Sequence, residues 1–285
     1  MNVAPEASPG FPRVATVIGL GLIGGSLALR LREVGVRVLG VDIDPEALAL
    51  ARRRGAIEAG GTDLDPVAAA DLVIVATPLE EVAQVGIAAA RRMRVGAVLT
   101  DTGSVKAPVV AAIHAALTPG VRFVGGHPMA GNEQHGMAAA DPALLDGRPY
   151  VLTPTARTAP EAVTAMQEVV ARLGMRPVVL DPIQHDELVA QASHLPYLVS
   201  LALLRAVADD ARTVGGPALA DMTRIAHSPA AMWAEVCRAN REAILRALTR
   251  YEEELQRLRR DVEAGTLSGP SAPEARRATP GGGVR

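Results

Sequence analysis

The sequence has one cysteine, Cys237, and one lysine, Lys106, in a chain of 285 residues. A single thiol excludes a disulfide within the chain and also excludes a thiolate-rich metal site. So little cysteine is typical of a protein that is kept in a reducing compartment. We therefore expect a cytoplasmic protein and no bound metal.

The charges are nearly balanced, because the chain has 29 lysines and arginines and 31 aspartates and glutamates, for a net charge of −2. This balance offers no electrostatic surface to a nucleic-acid backbone, so we expect no nucleic-acid partner. No apolar run reaches the roughly 18 residues of a membrane span. The N-terminal segment MNVAPEASPGFP lacks the basic and apolar regions of a signal peptide. We expect no membrane association and a disordered leader over residues 1–12.

Aromatic residues are also scarce, at 2% of the chain, whereas hydrophobic residues make up 49%. The core must therefore be built from alanine, valine and leucine. Short β-branched runs alternate with longer segments rich in alanine and leucine, and these runs are VATVI, VRVLGV, DLVIVAT, GAVLTD, RFVGG, YVLTP and RPVVLD. The alternation predicts βαβ units, and runs that are apolar on both faces predict a parallel sheet covered by helices.

After residue 181 the strand pattern stops, and apolar residues recur at helical spacings until about residue 263. The predicted fold class is therefore α/β, with a Rossmann-type, doubly wound and mostly parallel sheet followed by an all-α domain. We place the dinucleotide-binding sheet domain at residues 13–181 and the helical substrate domain at residues 182–263. Residues 264–285 are rich in glycine, proline and serine, which predicts a disordered tail.

The first strand leads into a glycine-rich turn with the pattern G-x-G-x-x-G, and a helical segment follows it. In this setting the first glycine permits a tight turn, the second lets the backbone approach a pyrophosphate, and the third allows close helix packing. The N-terminus of the helix then offers unpaired N–H groups to the phosphates. The cofactor-binding residues predicted in this turn are Gly19, Gly21, Leu22, Ile23 and Gly24.

Two residues at later strand ends are also assigned to the cofactor. Asp42 ends the second strand, where a carboxylate accepts hydrogen bonds from ribose hydroxyls and repels a 2′-phosphate. Thr77 ends the strand DLVIVAT, and ligands of open α/β sheets lie beyond the carboxyl ends of strands. Together these residues predict NAD as the cofactor in preference to NADP.

The candidate catalytic residues follow two further strands. Ser104 and Lys106 come after GAVLTD, and His127 comes after RFVG. Ser104 suits either a helix N-cap or catalysis, and Lys106 suits either a solvated helix end or an ion pair. Pro128 holds His127 in an extended backbone conformation, where its imidazole can accept a proton near neutral pH. His127 is therefore the candidate general base.

The helical region contains further polar candidates. His185 and His194 would lie on opposite faces of a straight helix, and Pro196 predicts a kink beside His194. We expect one of these histidines to face the cleft and the other to pack or cap. Arg224 lies in a mostly apolar stretch, where a buried guanidinium needs an anionic partner. This partner is either a substrate or an acidic side chain of the same domain or of another subunit.

The chain resembles the prephenate and arogenate dehydrogenases of tyrosine biosynthesis in the segments GLGLIGGSLA, VDIDPEAL, TDTGSVK, GGHPMAGNEQHG, HDELVAQASHLP and DMTRIAHSPAAMW. The resemblance implies NAD-linked oxidative decarboxylation of prephenate to 4-hydroxyphenylpyruvate, CO2 and NADH. The alternative within the family is arogenate, which gives tyrosine directly. The resemblance also implies a small-molecule substrate and a homodimer built through the helical domain.

The same resemblance implies roles for single residues. His127 would accept a hydrogen bond from the ring hydroxyl as hydride leaves, Ser104 would orient that hydroxyl and the nicotinamide, and Arg224 would hold a substrate carboxylate. The other implied substrate-binding positions are Asn132, Glu133, His194 and Tyr197. Tyr197 stands where relatives often have a second histidine, and Ala220 stands where they have a basic residue. Both positions adjoin the side-chain end of the substrate, so the choice between prephenate and arogenate stays open.

Two other functions are compatible with a dinucleotide-binding domain. A 3-hydroxyacid dehydrogenase of similar plan uses a lysine from the helical domain, but this chain has no lysine after Lys106. A regulator that senses NAD without catalysis would not require His127, Ser104 and Arg224 together.

Overall fold

The structure is a computed structural model that describes residues 11–132 and 134–269. The chain divides into two units, residues 1–244 and residues 245–285. Most of the predicted leader, Glu133 and the end of the predicted tail lie outside the described residues. Phe11, which we predicted to belong to the leader, is instead buried in the core, and the guanidinium of Arg172 lies 4.2 Å from its ring centroid.

The first unit contains a six-stranded sheet in the order β3-β2-β1-β4-β5-β6, and every neighbouring pair is parallel. Its strands are β1 (Val14–Ile18), β2 (Arg37–Val41), β3 (Ala59–Gly61), β4 (Leu72–Val75), β5 (Val98–Asp101) and β6 (Arg122–Phe123). The helices that connect them are α1 (Leu22–Glu33), α2 (Pro45–Arg53), α3 (Leu79–Ala90) and α4 (Ala107–Ala116).

Both faces of this sheet are buried. Alternate residues of β4 enter different cores, with Ile74 in one hydrophobic cluster and Val73 and Val75 in the other. Side chains alternate across a strand, so apolar residues in succession fill the space on both sides. The prediction of a doubly wound parallel sheet is confirmed.

A second, smaller sheet follows directly. It consists of β7 (Gly125–Pro128), β8 (Pro149–Thr153) and β9 (Arg176–Val179), with β7 antiparallel to β8 and β8 parallel to β9. Helix α5 (Pro160–Arg172) connects β8 to β9. The run RFVGG, which we predicted as one strand, therefore divides between two sheets, and His127 lies within β7 opposite Val151 rather than in a loop after a strand.

Only helical elements follow Val179 within the described residues, which confirms the predicted all-α region. They are α6 (Pro182–Val189), a π-helical turn (Ala190–His194), α7 (Leu195–Ala206), α8 (Asp209–Thr213), α9 (Pro217–Thr223), a 3-10 turn (Arg224–His227), α10 (Ala230–Ala239) and α11 (Arg241–Ala264).

The predicted opposition of His185 and His194 is wrong because the helix that carries them is not regular. The π-helical turn comes just before Pro196, which occupies the first turn of α7. A π turn holds more residues than an α turn, so the spacing of 100° per residue no longer applies. Asn240 lies beside both ends of this stretch, since its Nδ2 donates to the carbonyl of Asp186 and lies 3.3 Å from His194 Nδ1.

The continuous helical stretch Pro182–Ala206 has 25 residues and reaches a mean hydropathy of 1.2, so length and composition alone would allow it to cross a membrane. Its polar side chains argue for a different place. His185, Asp186 and His194 are buried within the first unit, where they form hydrogen bonds. These buried polar side chains pack within the first unit, although only 28% of the most apolar window of the stretch is buried.

The second unit, within the described residues, consists of the greater part of α11 and a short segment after it. Glu254 pairs with Arg257 and Glu263 with Arg259 along one helix, as the predicted three- and four-residue spacings require. Leucines of this helix are exposed, among them Leu255 and Leu258.

Candidate active site

The glycine-rich turn lies at the carboxyl edge of the six-stranded sheet. Gly19 has a φ of 90°, and a Cβ atom there would lie 2.5 Å from the carbonyl oxygen of Ala76. A Cβ atom on Gly24 would overlap the carbonyl oxygen of Gly19, so only glycine lets α1 pack this closely. Gly21 differs, because a Cβ atom there would meet nothing within 4 Å. The N-terminus of α1 is thus open to a ligand at Gly21.

Asp42 closes one side of this turn. Its Oδ2 accepts a hydrogen bond of 2.7 Å from the N–H of Leu20, and its Oδ1 accepts one of 2.9 Å from the N–H of Asp44. The bond to Leu20 was not predicted, and it fixes the carboxylate beside the glycine turn. Each carboxylate oxygen keeps a lone pair that a ribose hydroxyl can use.

Thr77 supplies a further group at the same edge. Its Oγ1 is buried and has no hydrogen-bond partner among the described residues. A buried hydroxyl without a partner costs free energy unless a ligand or water satisfies it. An open helix N-terminus, an anchored carboxylate and an unpaired hydroxyl therefore fit a dinucleotide, whose nicotinamide would supply a hydride acceptor when bound.

Ser104 is not the N-cap of helix α4, so the first of its two predicted roles is wrong. The N-cap position is Lys106, and the carboxylate of Asp186 accepts hydrogen bonds from the N–H groups of Lys106 (2.7 Å) and Ala107 (2.8 Å). An acid from α6 thus satisfies the first turn of α4. Ser104 is half-buried and does not act as the cap, so its hydroxyl remains a catalytic candidate.

Lys106 is fully buried, which excludes the solvated helix end and establishes the ion pair. Its ammonium pairs with the buried carboxylate of Asp101 and donates a hydrogen bond of 2.7 Å to the carbonyl of Gly126. Burial lowers the pKa of Lys106, and the charge of Asp101 offsets part of that change. The pair joins the end of β5 to β7 just before His127.

The ring of His127 is held by the helical region. Its Nδ1 lies 2.8 Å from Nε2 of His185, and Nδ1 of His185 lies 2.7 Å from Oδ1 of Asp186. Burial lowers the pKa of His127 well below its ordinary value, and electrostatic interactions with His185, Lys106 and His194 lower it further. A neutral imidazole is the form that can accept a proton, so His127 is suited to act as a base at neutral pH.

Three predicted substrate residues lie in or beside the helical region. His194 is buried next to Trp233, with ring centroids 6.0 Å apart, and Tyr197 stacks on Trp233 with centroids 3.9 Å apart. The indole Nε1 of Trp233 is buried and has no hydrogen-bond partner in the described part of the chain. The 3-10 turn that begins at Arg224 packs against α7, which carries Tyr197.

Other predicted residues are less enclosed. Arg224 is exposed, so the expectation of a buried guanidinium is wrong for a single chain. Asn132 is also exposed, and its Oδ1 accepts a hydrogen bond of 2.9 Å from the N–H of Gln134. Glu133 lies outside the described residues.

The sequence reasoning missed Asp186, Asn240 and Trp233 as members of this site, and it left His185 as one of two alternatives. Asp186 directly follows His185 in the segment HDEL, and an acid next to a candidate histidine is the signal that could have found it. Asn240 and Trp233 come from α10 and the residue after it, and no local pattern connects them to His194.

We expect the protein to lose stability in acid because His194 is buried. Burial lowers the pKa of His194 to about 4 from an ordinary value of 6.5, although the charge of Asp186 opposes the shift. Between pH 6.5 and pH 4 the unfolded chain binds a proton at this ring that the folded chain does not bind. The free energy of unfolding should therefore fall by about 3 kcal/mol through His194 alone as the pH drops across this window.

Urea unfolding at pH 7 and at pH 4.5 measures this change. His194→Gln should show a smaller loss of stability between the two values than the unchanged protein. His135→Gln, at an exposed histidine, is the control and should leave the loss unchanged. Equal losses in all three proteins would contradict the assignment.

The chain matches the family model for the prephenate dehydrogenase nucleotide-binding domain over residues 27–179 and the model for the prephenate dehydrogenase dimerization domain over residues 181–269. The chain belongs to the prephenate dehydrogenase family. A prephenate dehydrogenase of Bacillus subtilis is 33% identical over 86% of this chain and 69% of its own length.

Solved structures of the family agree in fold. An Aquifex aeolicus prephenate dehydrogenase, solved with NAD+ and hydroxyphenyl propionate, has a TM-score of 0.82 at 28% identity and covers 91% of this chain and 93% of its own. A Synechocystis arogenate dehydrogenase has a TM-score of 0.77 at 29% identity and covers 88% of this chain and 92% of its own. The predicted family, the NAD-dependent dehydrogenase activity and the cofactor are confirmed for this prephenate dehydrogenase family member.

Proposed function

We propose that this chain converts prephenate and NAD+ into 4-hydroxyphenylpyruvate, CO2 and NADH. The observation that carries the proposal is the half-buried imidazole of His127, which is hydrogen-bonded to His185 and lies in β7, beside the end of β5 in the sheet that carries the glycine turn. Gly126 is hydrogen-bonded to Asp101 at the end of β5, β5 pairs with β4, and β4 ends beside Gly19. The base and the cofactor turn thus lie at the same end of the six-stranded sheet.

The proton and the electrons balance in this reaction. The ring hydroxyl of prephenate gives its proton to His127 while the carbon that bears it loses hydride to the nicotinamide. The bond to the ring carboxylate then breaks, CO2 leaves, and the electron pair makes the ring aromatic. His127 returns its proton to the oxygen, which becomes the phenol, so no net proton is released. Aromatisation supplies the driving force, and the chain positions the ring and moves one proton.

The remaining residues are assigned by their place around that ring. Ser104, half-buried before α4, orients the hydroxyl and the nicotinamide. Arg224 binds a carboxylate of this dianionic substrate. The side-chain end of the substrate is assigned to His194, Tyr197 and Trp233, whose indole N–H is available as a donor. Asn132 and Glu133 are assigned to substrate binding, as the resemblance to the family implies.

The charges near His194 favour prephenate over arogenate as the substrate. Arogenate carries an ammonium group that needs an anionic partner. The carboxylate whose charge acts on His194 is Asp186, and both of its oxygens already accept hydrogen bonds. Arogenate is the second candidate, because a similar structure is that of an arogenate dehydrogenase and because Tyr197 and Ala220 depart from the pattern.

NADH formation, followed by absorbance, tests the function with prephenate, arogenate and a 3-hydroxy acid in parallel. We expect turnover with prephenate, less with arogenate and none with the 3-hydroxy acid. NAD should be preferred over NADP at least several-fold because Asp42 repels a 2′-phosphate. Binding of NAD without turnover of any substrate would favour the regulator, and preference for NADP would remove this role from Asp42.

Arg224→Ala should raise the KM for prephenate much more than it lowers kcat. A charge-assisted contact with a substrate carboxylate is worth roughly 2 to 5 kcal/mol, so a rise of ~30-fold or more is expected. Arg92, an exposed arginine beyond the far end of α3, is the matched control, and Arg92→Ala should leave KM unchanged. A change in oligomeric state with an unchanged KM would place Arg224 in a subunit interface instead.

We also propose a cytoplasmic homodimer formed through the helical region. The match to a dimerization domain supports the dimer. Large apolar side chains in this region are exposed in one chain, among them Ile183, Met222 and Met232. Exposed apolar side chains that gather into a patch are typical of a protein interface. Sedimentation as a monomer at micromolar concentration would contradict the dimer.

A further inference from the structure

A chain of hydrogen bonds lies behind His127 and ends at a carboxylate. His127 Nδ1 contacts His185 Nε2 at 2.8 Å, and His185 Nδ1 contacts Asp186 Oδ1 at 2.7 Å. His185 is fully buried, whereas His127 is half-buried. The only solvent-facing ring of the pair is therefore that of His127, and the proton of a substrate can reach the chain through that ring.

The carboxylate at the end determines the direction of every bond in the chain. Asp186 already accepts the N–H groups of Lys106 and Ala107, so it is an acceptor toward His185 as well. A neutral His185 must then carry its hydrogen on Nδ1. Its Nε2 is left with a lone pair, which accepts a hydrogen from Nδ1 of His127. The neutral His127 consequently has no hydrogen on Nε2.

We propose that His185 is a positioning residue, which together with Asp186 holds His127 as the Nδ1–H tautomer and so makes its Nε2 atom the proton acceptor. The proposal rests on the proposed function for the identity of the proton, which comes from the ring hydroxyl of the substrate. When Nε2 takes that proton, the positive charge forms on a ring whose Nδ1–H donates toward Asp186 through His185. The arrangement has the logic of a catalytic triad, with a second histidine inserted before the acid.

The other charged groups around His127 explain why a positive charge on its ring needs the hydrogen bonds to His185 and Asp186. A cation on His127 is disfavoured by burial and by the positive charge of Lys106, which bonds the carbonyl of Gly126 next to it. Asp101 neutralises Lys106 directly, and Asp186 is the acid that His127 reaches through His185. The titratable groups that face the pair from the packed elements are Lys106 before α4, Asp101 on β5, Asp186 on α6 and His194 in the π turn.

The tautomers can be observed without any turnover. The full chain is labelled with 15N-histidine, saturated with NAD and studied at neutral pH by long-range 1H–15N correlation. The chain has 6 histidines, so His127→Gln and His185→Gln assign the two ring systems. We expect both rings to be neutral with hydrogen on Nδ1. Hydrogen on Nε2 of His127, or a charged ring at either position, would overturn the proposal.

Two replacements of His185 separate positioning from packing. A glutamine can accept from His127 Nδ1–H and donate to Asp186, whereas a phenylalanine fills the space and can do neither. His185→Phe should lower kcat at least ~10-fold with little change in the KM for NAD, and His127 should become a mixture of tautomers. His185→Gln should keep the Nδ1–H form of His127 and most of the kcat.

Control results distinguish the failure of this inference from the failure of the function. His114 is a buried histidine that bonds Thr155, and His114→Phe should lose stability without changing kcat or the His127 tautomer. Equal kcat in His185→Phe and the unchanged protein, or equal losses in the Phe and Gln variants, would refute positioning. If the unchanged chain does not oxidise prephenate or arogenate, the proposed function fails, while the tautomer spectrum still decides the inference.

Discussion

His127→Asn is expected to lower kcat for prephenate at least ~10²-fold while the affinity for NAD changes little. General bases contribute about 10²- to 10⁴-fold to a rate, and asparagine has no atom that can accept and return the proton of the ring hydroxyl. The amide can still bond to His185, so the fold around the site should survive. Steady-state kinetics and NAD titration by fluorescence measure the two effects separately.

His114→Asn is the matched control for this experiment. His114 is also buried, and burial also lowers its pKa, but its ring bonds Thr155 and Thr158 instead of His185. Its replacement should leave kcat within about 2-fold. Near-normal turnover in His127→Asn would reassign the base, and a comparable loss in His114→Asn would mean that the kinetics report stability instead of chemistry.

Lys106→Met is expected to destabilise the protein by about 3 to 5 kcal/mol. Removing one partner of a buried ion pair leaves the other charge uncompensated, and Asp101 is fully buried. The N–H groups of Gly103 and Gly126 still donate to Asp101, but two main-chain donors do not replace a positive charge. The free energy of unfolding in urea measures the loss.

The exposed pair of Arg37 and Glu58 gives the control for Lys106. Arg37→Met should cost no more than about 1 kcal/mol, because solvent screens a surface ion pair. Adding Asp101→Asn to Lys106→Met should recover part of the lost stability, since a neutral amide is easier to bury than an unpaired carboxylate. A cost below 1 kcal/mol for Lys106→Met, or no recovery in the double variant, would contradict a buried charged pair.

The sheet could be predicted from the sequence because its signal is local. Strands such as β1 and β4 are continuous apolar runs, and the glycine turn has a strict pattern. The prediction failed where the local signal is weak or divided. β3 has the sequence AGG, with no apolar pattern, and RFVGG reads as one strand although its two halves join different sheets.

The active site was predictable only in part, for a related reason. The glycines follow the end of β1, and His127, although it lies within β7, comes next to the end of β5, because the N–H of Gly126 donates to Asp101. The topology of parallel sheets brings such strand ends together. The partnership of His127 with His185 depends on how α6 packs against the sheet, and the proximity of His194 depends on a π turn that α-helical periodicity does not reveal. The capping of α4 by Asp186 is likewise a contact between distant segments, which explains why Ser104 looked like an equally good cap.

The carboxylate of Asp186 has a consequence for how this enzyme can evolve. One side chain holds the first turn of α4 and also terminates the histidine chain, so folding and reactivity depend on the same two oxygen atoms. A substitution selected for altered reactivity at this position would also loosen the scaffold. We therefore expect adaptation at residues such as Tyr197 and Trp233, whose rings stack on each other and do not serve as that anchor.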